Sequence, residues 1–362
     1  MKRLRVGVVG AGIGKSHIQA ASTMPDRYEV VALCDIDEAR AKAVASELDV
    51  PHTDTRFEDL LNRDLDVVSV GTPSRLHVPQ TLAALEAGFD VVVEKPAGQS
   101  LADMDQLAAA EQKTGQRIAP VFQYRFGHGI QKLHHLVAKG VTGRPLMATS
   151  ETHWLRRDDY YDASPWRGTW DGETGGTFAT HAIHIHDLLC EVMGPIKSLH
   201  ARTANSINGN ETEDNGVVSF AFESGAMASA SVTVGSRQQM SRLRFVFENV
   251  VAESGRSPYN PGHEPWTFPH DDPAEAERIA QELSDFQPRT ERFPGLFERI
   301  HVALTEGSEL PVTLDDARRS IELLTAVYWS SDQDTPVTFP IKPDHPFYNG
   351  WIEHMKLRTQ NG

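Results

Sequence analysis

Cysteine is almost missing from this 362-residue chain: Cys34 and Cys190 are the two present, and they form no Cys-x-x-Cys pair. That removes the basis for a disulfide framework or a cysteine zinc site, and a reducing, cytoplasmic setting is expected. No apolar run is long enough to span a bilayer. Lys2, Arg3 and Arg5 precede an apolar run, as in a signal peptide, but the run is short, rich in glycine and passes into a helix pattern, so it reads as a first strand. Basic stretches are lacking too. Lys and Arg total 35 against 50 Asp and Glu, a formal charge of −15, which argues against a nucleic-acid backbone as partner and reads as solubility. Internal repeats and low-complexity tracts are absent.

What is there is ordinary in amount, with 40% hydrophobic and 23% charged residues, and informative in order. The length suits two domains rather than one core, and we place them at 1–123 and 124–362. In the first, valine-rich runs without period-2 alternation (Leu4–Val9, Val30–Cys34, Val67–Val70, Val91–Val93, Ile118–Val121) read as strands buried on both faces. Amphipathic segments separate them, one starting near Ser74 and another at Ser100 with Leu101, Met104, Leu107 and Ala108 on one face. This alternation predicts a doubly wound parallel sheet of Rossmann type.

After about Gly140 the period changes to two. Val218, Phe220 and Phe222 share a face, as do Leu243, Phe245 and Phe247, and Ala228, Ala230 and Val232, opposite more polar neighbours. These runs predict a large, open, mostly antiparallel sheet in an α+β domain. Helices are expected over about 176–193, 274–284 and 314–331, and the four-proline stretch 257–272 is expected to be irregular.

Gly10-Ala11-Gly12-Ile13-Gly14 lies between the first strand and the first helix. Glycine there permits a tight turn and close approach of backbone to a pyrophosphate, which the helix N-terminus then faces. Compared with G-x-G-x-x-G the third glycine comes one residue early, and Lys15 takes its place. Asp35 follows Gly14 by 21 residues, at the end of the second strand. A carboxylate there binds the adenine ribose hydroxyls and repels a 2′-phosphate, so NAD is favoured over NADP. Thr72-Pro73, with His77 in the next helix, and Glu94-Lys95-Pro96 both end strands, where ligands of open α/β sheets bind. Lys95 is thereby placed towards substrate.

The order of a glycine turn with His17, Thr72-Pro73 and His77, Glu94-Lys95-Pro96, Gln123-Tyr124-Arg125-Phe126, Gly175-Gly176 and His184-x-x-Asp187 resembles the glucose–fructose oxidoreductase / inositol dehydrogenase / MocA family along nearly the whole chain. The resemblance implies a Rossmann domain, a C-terminal domain with a large open sheet, and oxidation or reduction of a ring carbon of sugars or cyclic polyols with NAD(P). It maps the lysine that contacts the reacting hydroxyl to Lys95 and the catalytic histidine to His184, followed by Asp187. Many members carry Asp or Asn where this chain has Thr180; Asp187 or His181 would then have to compensate. Ile13, Glu94 and Gln123 join the glycines, Asp35, Thr72, Pro73, His77 and Lys95 as expected cofactor contacts. In a branch of the family, residues matching 153–168 approach the sugar, which here brings in Trp154, Tyr161, Trp166 and Arg167, beside Arg125, Thr180 and His181. Aromatic faces cover the C–H side of a sugar, and guanidinium donors fork to hydroxyls.

The expected chemistry is transfer of a hydride between nicotinamide and a sugar, cyclic polyol or glycoside, with His184 as acid–base group and Lys95 stabilising the developing alkoxide. Rival readings are an NAD-dependent glycoside hydrolase, a non-catalytic NAD-binding sensor, and a metal site built from His181, His184, His186 and Asp187, the last set aside because one helix offers no matching partner ligand. A homodimer or homotetramer is expected from the resemblance and the open sheet.

Overall fold

A computed structural model describes residues 2–361. The chain divides into two compact units, Met1–Phe122 with Phe293–Ile321, and Gln123–Arg292 with Glu322–Gly362.

The first unit is built on a six-stranded parallel sheet: β1 (Leu4–Val9), β2 (Tyr28–Cys34), β3 (His52–Asp54), β4 (Val67–Val70), β5 (Asp90–Val93) and β6 (Ile118–Pro120), in the order β3-β2-β1-β4-β5-β6. The strand order reverses between β1 and β4, the switch point at which such sheets bind ligands. Val6, Val8, Val67, Val68, Val70 and Val91–Val93 are all buried, which explains runs without alternation. Each such valine contributes about 1.5–3 kcal/mol over an exposed one. Between the strands run α1 (Gly14–Ser22), α2 (Glu38–Glu47), α3 (Phe57–Leu61), α4 (His77–Glu86) and α5 (Leu101–Thr114). Ser100 caps α5, its hydroxyl accepting from the Asp103 N–H at 3.0 Å, and Gly115 ends it in the left-handed conformation at φ 74°. Near Ser74 the chain first makes a 3-10 turn, Ser74–Leu76, and α4 proper starts at His77.

The segment 293–321, assigned above to the second domain, packs in the first unit. Within the helix spanning Arg292–Glu306, Leu296, Phe297 and Ile300 are buried, Tyr28 donates its hydroxyl to the Phe297 carbonyl at 2.7 Å, and Arg117 reaches the Ala303 carbonyl at 2.9 Å. Aromatic burial against a strand outweighs proximity in sequence.

The second unit carries an eight-stranded mixed sheet: β7 (Pro145–Leu155), β8 (Ile196–Ala204), β9 (Asn215–Phe222), β10 (Met227–Thr233), β11 (Gly235–Phe247), β12 (Val251–Ser254), β13 (Trp266–Thr267) and β14 (Val337–Thr338). The order is β13-β12-β11-β7-β10-β9-β8-β14, antiparallel except for the parallel pair β7/β10. Its two faces are unequal, as the period-2 pattern requires: Phe220, Phe222, Leu243 and Phe245 are buried, while Met147, Val217 and Met227 on the other face are 48%, 54% and 54% exposed. The stretch 257–272 is mostly irregular, but its tail supplies the two-residue strand β13, anchored by the Trp266 indole N–H on the Pro261 carbonyl at 2.8 Å.

The expected helix over 176–193 is two pieces. A wide π-helical turn, Phe178–Ala182, precedes the α-helix Ile183–Met193, here called α6. At its head the Glu213 carboxylate takes the N–H groups of Gly176 at 2.8 Å and Phe178 at 3.0 Å, while the Thr180 N–H reaches the Gly176 carbonyl at 3.0 Å. Among the described residues no helix is long and apolar enough to cross a membrane.

Candidate active site

Gly10 sits at φ +96°, and a side chain there would run into the Gly71 carbonyl, so glycine is required twice over. Around Gly12 a Cβ would meet nothing within 4 Å, which leaves the backbone open to a ligand. At Gly14 a Cβ would lie 2.8 Å from Cγ1 of Val8, so this early glycine lets α1 pack closely on β1. Ile13 precedes α1, no side chain caps the helix, and its first turn holds no acid. The sequence thus leaves the positive end of the helix to an anion.

Asp35 is buried at the end of β2, with Oδ2 accepting from the Ala11 N–H at 2.7 Å and Oδ1 from the Asp37 N–H at 2.9 Å. It is not the cap of α2; Asp37 is, through the Arg40 N–H at 3.0 Å. The carboxylate is therefore fixed against the glycine turn. These residues fit a dinucleotide: an open backbone at Gly12, an uncapped helix start and a rigid acid beside them.

The other strand ends join this rim in series. Gly71 abuts Gly10, and Thr72 follows, its hydroxyl on Gln80 at 2.6 Å. His77 lies 2.7 Å from both the Thr72 and the Pro96 carbonyls and so ties the turn after Gly71, with Pro73, to the turn bearing Lys95. Burial lowers the pKa of His77, against the pull of the two carbonyls and Glu94; both carbonyls receive a proton only from the doubly protonated ring. Glu94 is buried, with Oε1 on His17 at 3.1 Å and Oε2 on the Lys95 N–H at 3.1 Å. His17 in turn meets Ser69 at 2.7 Å. The Glu94 and His77 side chains, expected as cofactor contacts, are thus engaged in holding the turn that carries Lys95.

In the second unit, Gln123–Phe126 form a 3-10 turn, and the buried Gln123 amide oxygen has no protein donor. Tyr124 stacks on His184, ring centroids 4.5 Å apart. Arg125 forms a buried two-nitrogen ion pair with Asp187, one turn beyond His184 on α6. The turn 123–126 therefore fixes both the ring and the helix.

At the head of that helix, a side chain at Gly175 would strike the Tyr328 hydroxyl, and one at Gly176 the Glu213 carbonyl. Glu213 is fully enclosed, accepting from Gly176, Phe178 and, at 3.0 Å, the Tyr328 hydroxyl; burial pushes its carboxyl up to about 7.

Thr180 donates its single hydroxyl proton to the Gly176 carbonyl at 2.7 Å. It must then accept from His181 Nδ1–H at 2.6 Å, which leaves His181 Nε2 to accept from Arg156 Nε–H at 3.2 Å. His181 is thus the Nδ1–H tautomer, and Thr180 serves His181.

Around Arg156 stands an aromatic wall. Its guanidinium carbon is 5.2 Å from the Trp154 ring, 5.0 Å from Tyr160 and 5.6 Å from Tyr259, and Arg167 lies 4.1 Å over Tyr160 and 5.4 Å from Trp166. Trp154 is buried, its indole N–H on Ser241 at 3.0 Å; Trp166 is half-buried, and Tyr161 meets Tyr160 edge-on at 5.1 Å. Sequence reasoning missed Tyr124, Tyr160, Tyr259, Arg156 and Glu213 as site residues. Tyr124 and Arg156 stood inside motifs already singled out; Tyr259 and Glu213 gave no local signal. The metal reading has no support in the geometry, since His186 is buried between Phe178 and Phe220, Asp187 pairs with Arg125, and His184 stacks on Tyr124.

The open glycine turn and fixed Asp35 define the first unit as a Rossmann dinucleotide-binding domain. Residues 4–122 match the model of the oxidoreductase family with NAD-binding Rossmann fold, and residues 130–252 match the GFO/IDH/MocA C-terminal domain. The chain belongs to this Gfo/Idh/MocA oxidoreductase family, and its first unit is an NAD-binding domain. It is 30% identical over 236 residues to the uncharacterized oxidoreductase YrbE of Bacillus subtilis, covering 63% of this chain and 66% of that protein. It is 32% identical over 212 residues to the D-glucoside 3-dehydrogenase of Escherichia coli, covering 56% of this chain and 58% of that protein. The match thus spans two thirds or less of these curated relatives. Among solved structures it is similar to the WlbA dehydrogenase of Bordetella pertussis in complex with NADH and UDP-GlcNAcA, with a TM-score of 0.82 and 28% identity over 94% of this chain and 100% of that one.

Proposed function

We propose that this protein is an NAD-dependent dehydrogenase or reductase acting on a ring carbon of a sugar, cyclic polyol or glycoside, with Lys95 and His184 assisting. The observation that carries the reading is the series of ties along one rim, from Gly10 through Gly71 and Thr72 to His77 and the Pro96 carbonyl, which makes Lys95 part of the same rigid edge as the dinucleotide turn. Similarity to a D-glucoside 3-dehydrogenase and to a dehydrogenase solved with NADH and UDP-GlcNAcA supports the substrate class.

Gly10, Gly12, Ile13 and Gly14 would hold the pyrophosphate, and Asp35 the adenine ribose. When bound, NAD supplies the acceptor or donor of a carbon-bound hydrogen. His184 takes the hydroxyl proton as the C–O bond gains double-bond character, and returns it in the opposite direction. The Lys95 ammonium lowers the energy of the alkoxide that develops between these states. Trp154, Tyr161, Trp166 and Arg167 would face the sugar, and Arg125, Asp187, Thr180 and His181 would position the groups around it. The exposed face of the eight-stranded sheet would meet a second copy, giving a homodimer or homotetramer.

The test is a screen of sugars, inositols and glycosides with NAD, read at the nicotinamide absorbance band. Turnover that disappears in Lys95→Ala and His184→Ala supports the assignment; a purified sample that neither binds NAD nor turns over any of these compounds ends it.

A further inference from the structure

Resting on that reading, we propose that the substrate carries an anionic group, a carboxylate or a phosphate, and that Arg156 and Arg167 receive it. Two guanidinium groups approach one ring, Tyr160, at 5.0 and 4.1 Å. In the same unit several arginines meet acids: Arg125 meets Asp187, Arg144 meets Glu248, Arg202 meets Asp334 and Arg242 meets Glu253. The chain offers an excess of them, 50 acids against 35 bases. Yet among the described residues no carboxylate oxygen comes within 4.0 Å of a nitrogen of Arg156 or Arg167. Glu173, near the same cluster, accepts from the Gly168 N–H at 2.6 Å.

Both cations are partly withdrawn from water, which raises the cost of holding like charges together. Arg156 spends its contacts on neutral groups, His181 Nε2, the Leu155 carbonyl and the Gln239 amide oxygen. Arg167 makes a single long contact, to the Tyr160 carbonyl at 3.5 Å, and its buried Nε has no acceptor. A buried guanidinium N–H without an acceptor is a donor waiting for one. The planar fork fits a carboxylate or a phosphate through two parallel bonds, which a sugar hydroxyl cannot supply. The aromatic wall fixes the arginines without neutralising them, so the positive charge is kept for the ligand.

The experiment uses matched series of gluco and galacto configuration: the neutral hexose, the hexuronate and the hexose 6-phosphate. Binding to the NADH-saturated protein is measured by calorimetry, and turnover with NAD alongside. One anionic member is expected to bind about tenfold or more tightly than its neutral counterpart, a preference weakened by added salt. Whether uronate or phosphate is the tighter identifies the anion. Arg167→Met should close the gap, and Arg167→Lys should retain part of it. Equal binding of neutral and charged members, binding by neither, or a gap that persists in Arg167→Met overturns the proposal. NAD-linked turnover confined to neutral sugars would leave the dehydrogenase reading standing and remove this one; tight anion binding without NAD-linked turnover of any compound would do the reverse.

Discussion

Arg125 holds Asp187 through two nitrogens, Nε at 2.7 Å from Oδ2 and Nη2 at 2.5 Å from Oδ1, with both side chains buried. The pair joins the turn 123–126 to the helix of His184. Removing one partner deprives the other of this buried ion pair. Asp187→Asn should therefore destabilise the protein by about 3–5 kcal/mol, and the double variant Arg125→Met/Asp187→Leu should regain most of that loss. Urea unfolding of the single and double variants checks this; equal losses would mean that the pair is not desolvated as the structure shows.

Lys95→Ala and His184→Ala should each lower kcat by roughly 10²–10⁴-fold, the range for a positioned acid–base group, with NAD affinity less affected. Steady-state kinetics beside direct NAD titration separates the two effects. Turnover near that of the parent in either variant removes its residue from the chemistry.

Gly10 and Gly12 differ in what surrounds them, and their alanine variants should differ in kind. Gly10→Ala meets the Gly71 carbonyl at a left-handed φ and should cost at least about 1–2 kcal/mol of stability. Gly12→Ala meets no atom and should fold normally while weakening NAD by about tenfold, or 1.4 kcal/mol. Thermal melts and NAD titrations of both proteins are the measurement, and a Gly12→Ala protein with parental NAD affinity would sink this role for the open backbone.

Asp35→Ala should weaken NAD and narrow its advantage over NADP, because the carboxylate that repels a 2′-phosphate is gone. The ratio of the two dissociation constants is the readout.

Two buried groups give opposite slopes of stability against pH. Glu213 rises from 4.5 to about 7, so the folded chain binds its proton more tightly than the unfolded one, and stability falls as pH climbs between these values. His186 falls from 6.5 to about 4 through burial, so stability drops as pH is lowered through that window. Each slope is about 1.4 kcal/mol per pH unit, and in the parent they largely offset one another. Relative to the parent, Glu213→Gln should gain stability with rising pH between about pH 4.5 and 7, and His186→Leu should lose it between about pH 4 and 6.5. Denaturant midpoints across this range decide, and parallel curves for all three proteins would refute both assignments.

The Rossmann alternation was legible because its strands are buried on both faces and leave solid valine runs, and the second sheet because Phe220, Phe222, Leu243 and Phe245 keep a strict period of two. Strand β3 was not, since His52–Asp54 is short and its residues are not fully buried. The helix spanning Arg292–Glu306 hides behind Pro294 and Gly295, which read as breakers although proline is tolerated in a first turn. The π-helical turn at 178–182 escapes any search for a 3.6 period, and the carboxylate that meets its first N–H, Glu213 on Phe178, lies 35 residues away in sequence. Tyr259 reaches the wall around Arg156 from a proline-rich loop whose composition says nothing about aromatic contact.

The row from Gly176 through Thr180 and His181 to Arg156 runs in one direction, because a hydroxyl has one proton to give. Asparagine at 180 could still offer a donor to the Gly176 carbonyl and an acceptor to His181. Aspartate would turn a negative oxygen on that carbonyl and break the row at its origin. An acid at 180 would thus keep the acceptor that His181 needs and lose only the tether to the Gly176 carbonyl, so the threonine hydroxyl is what joins the helix head to the arginine.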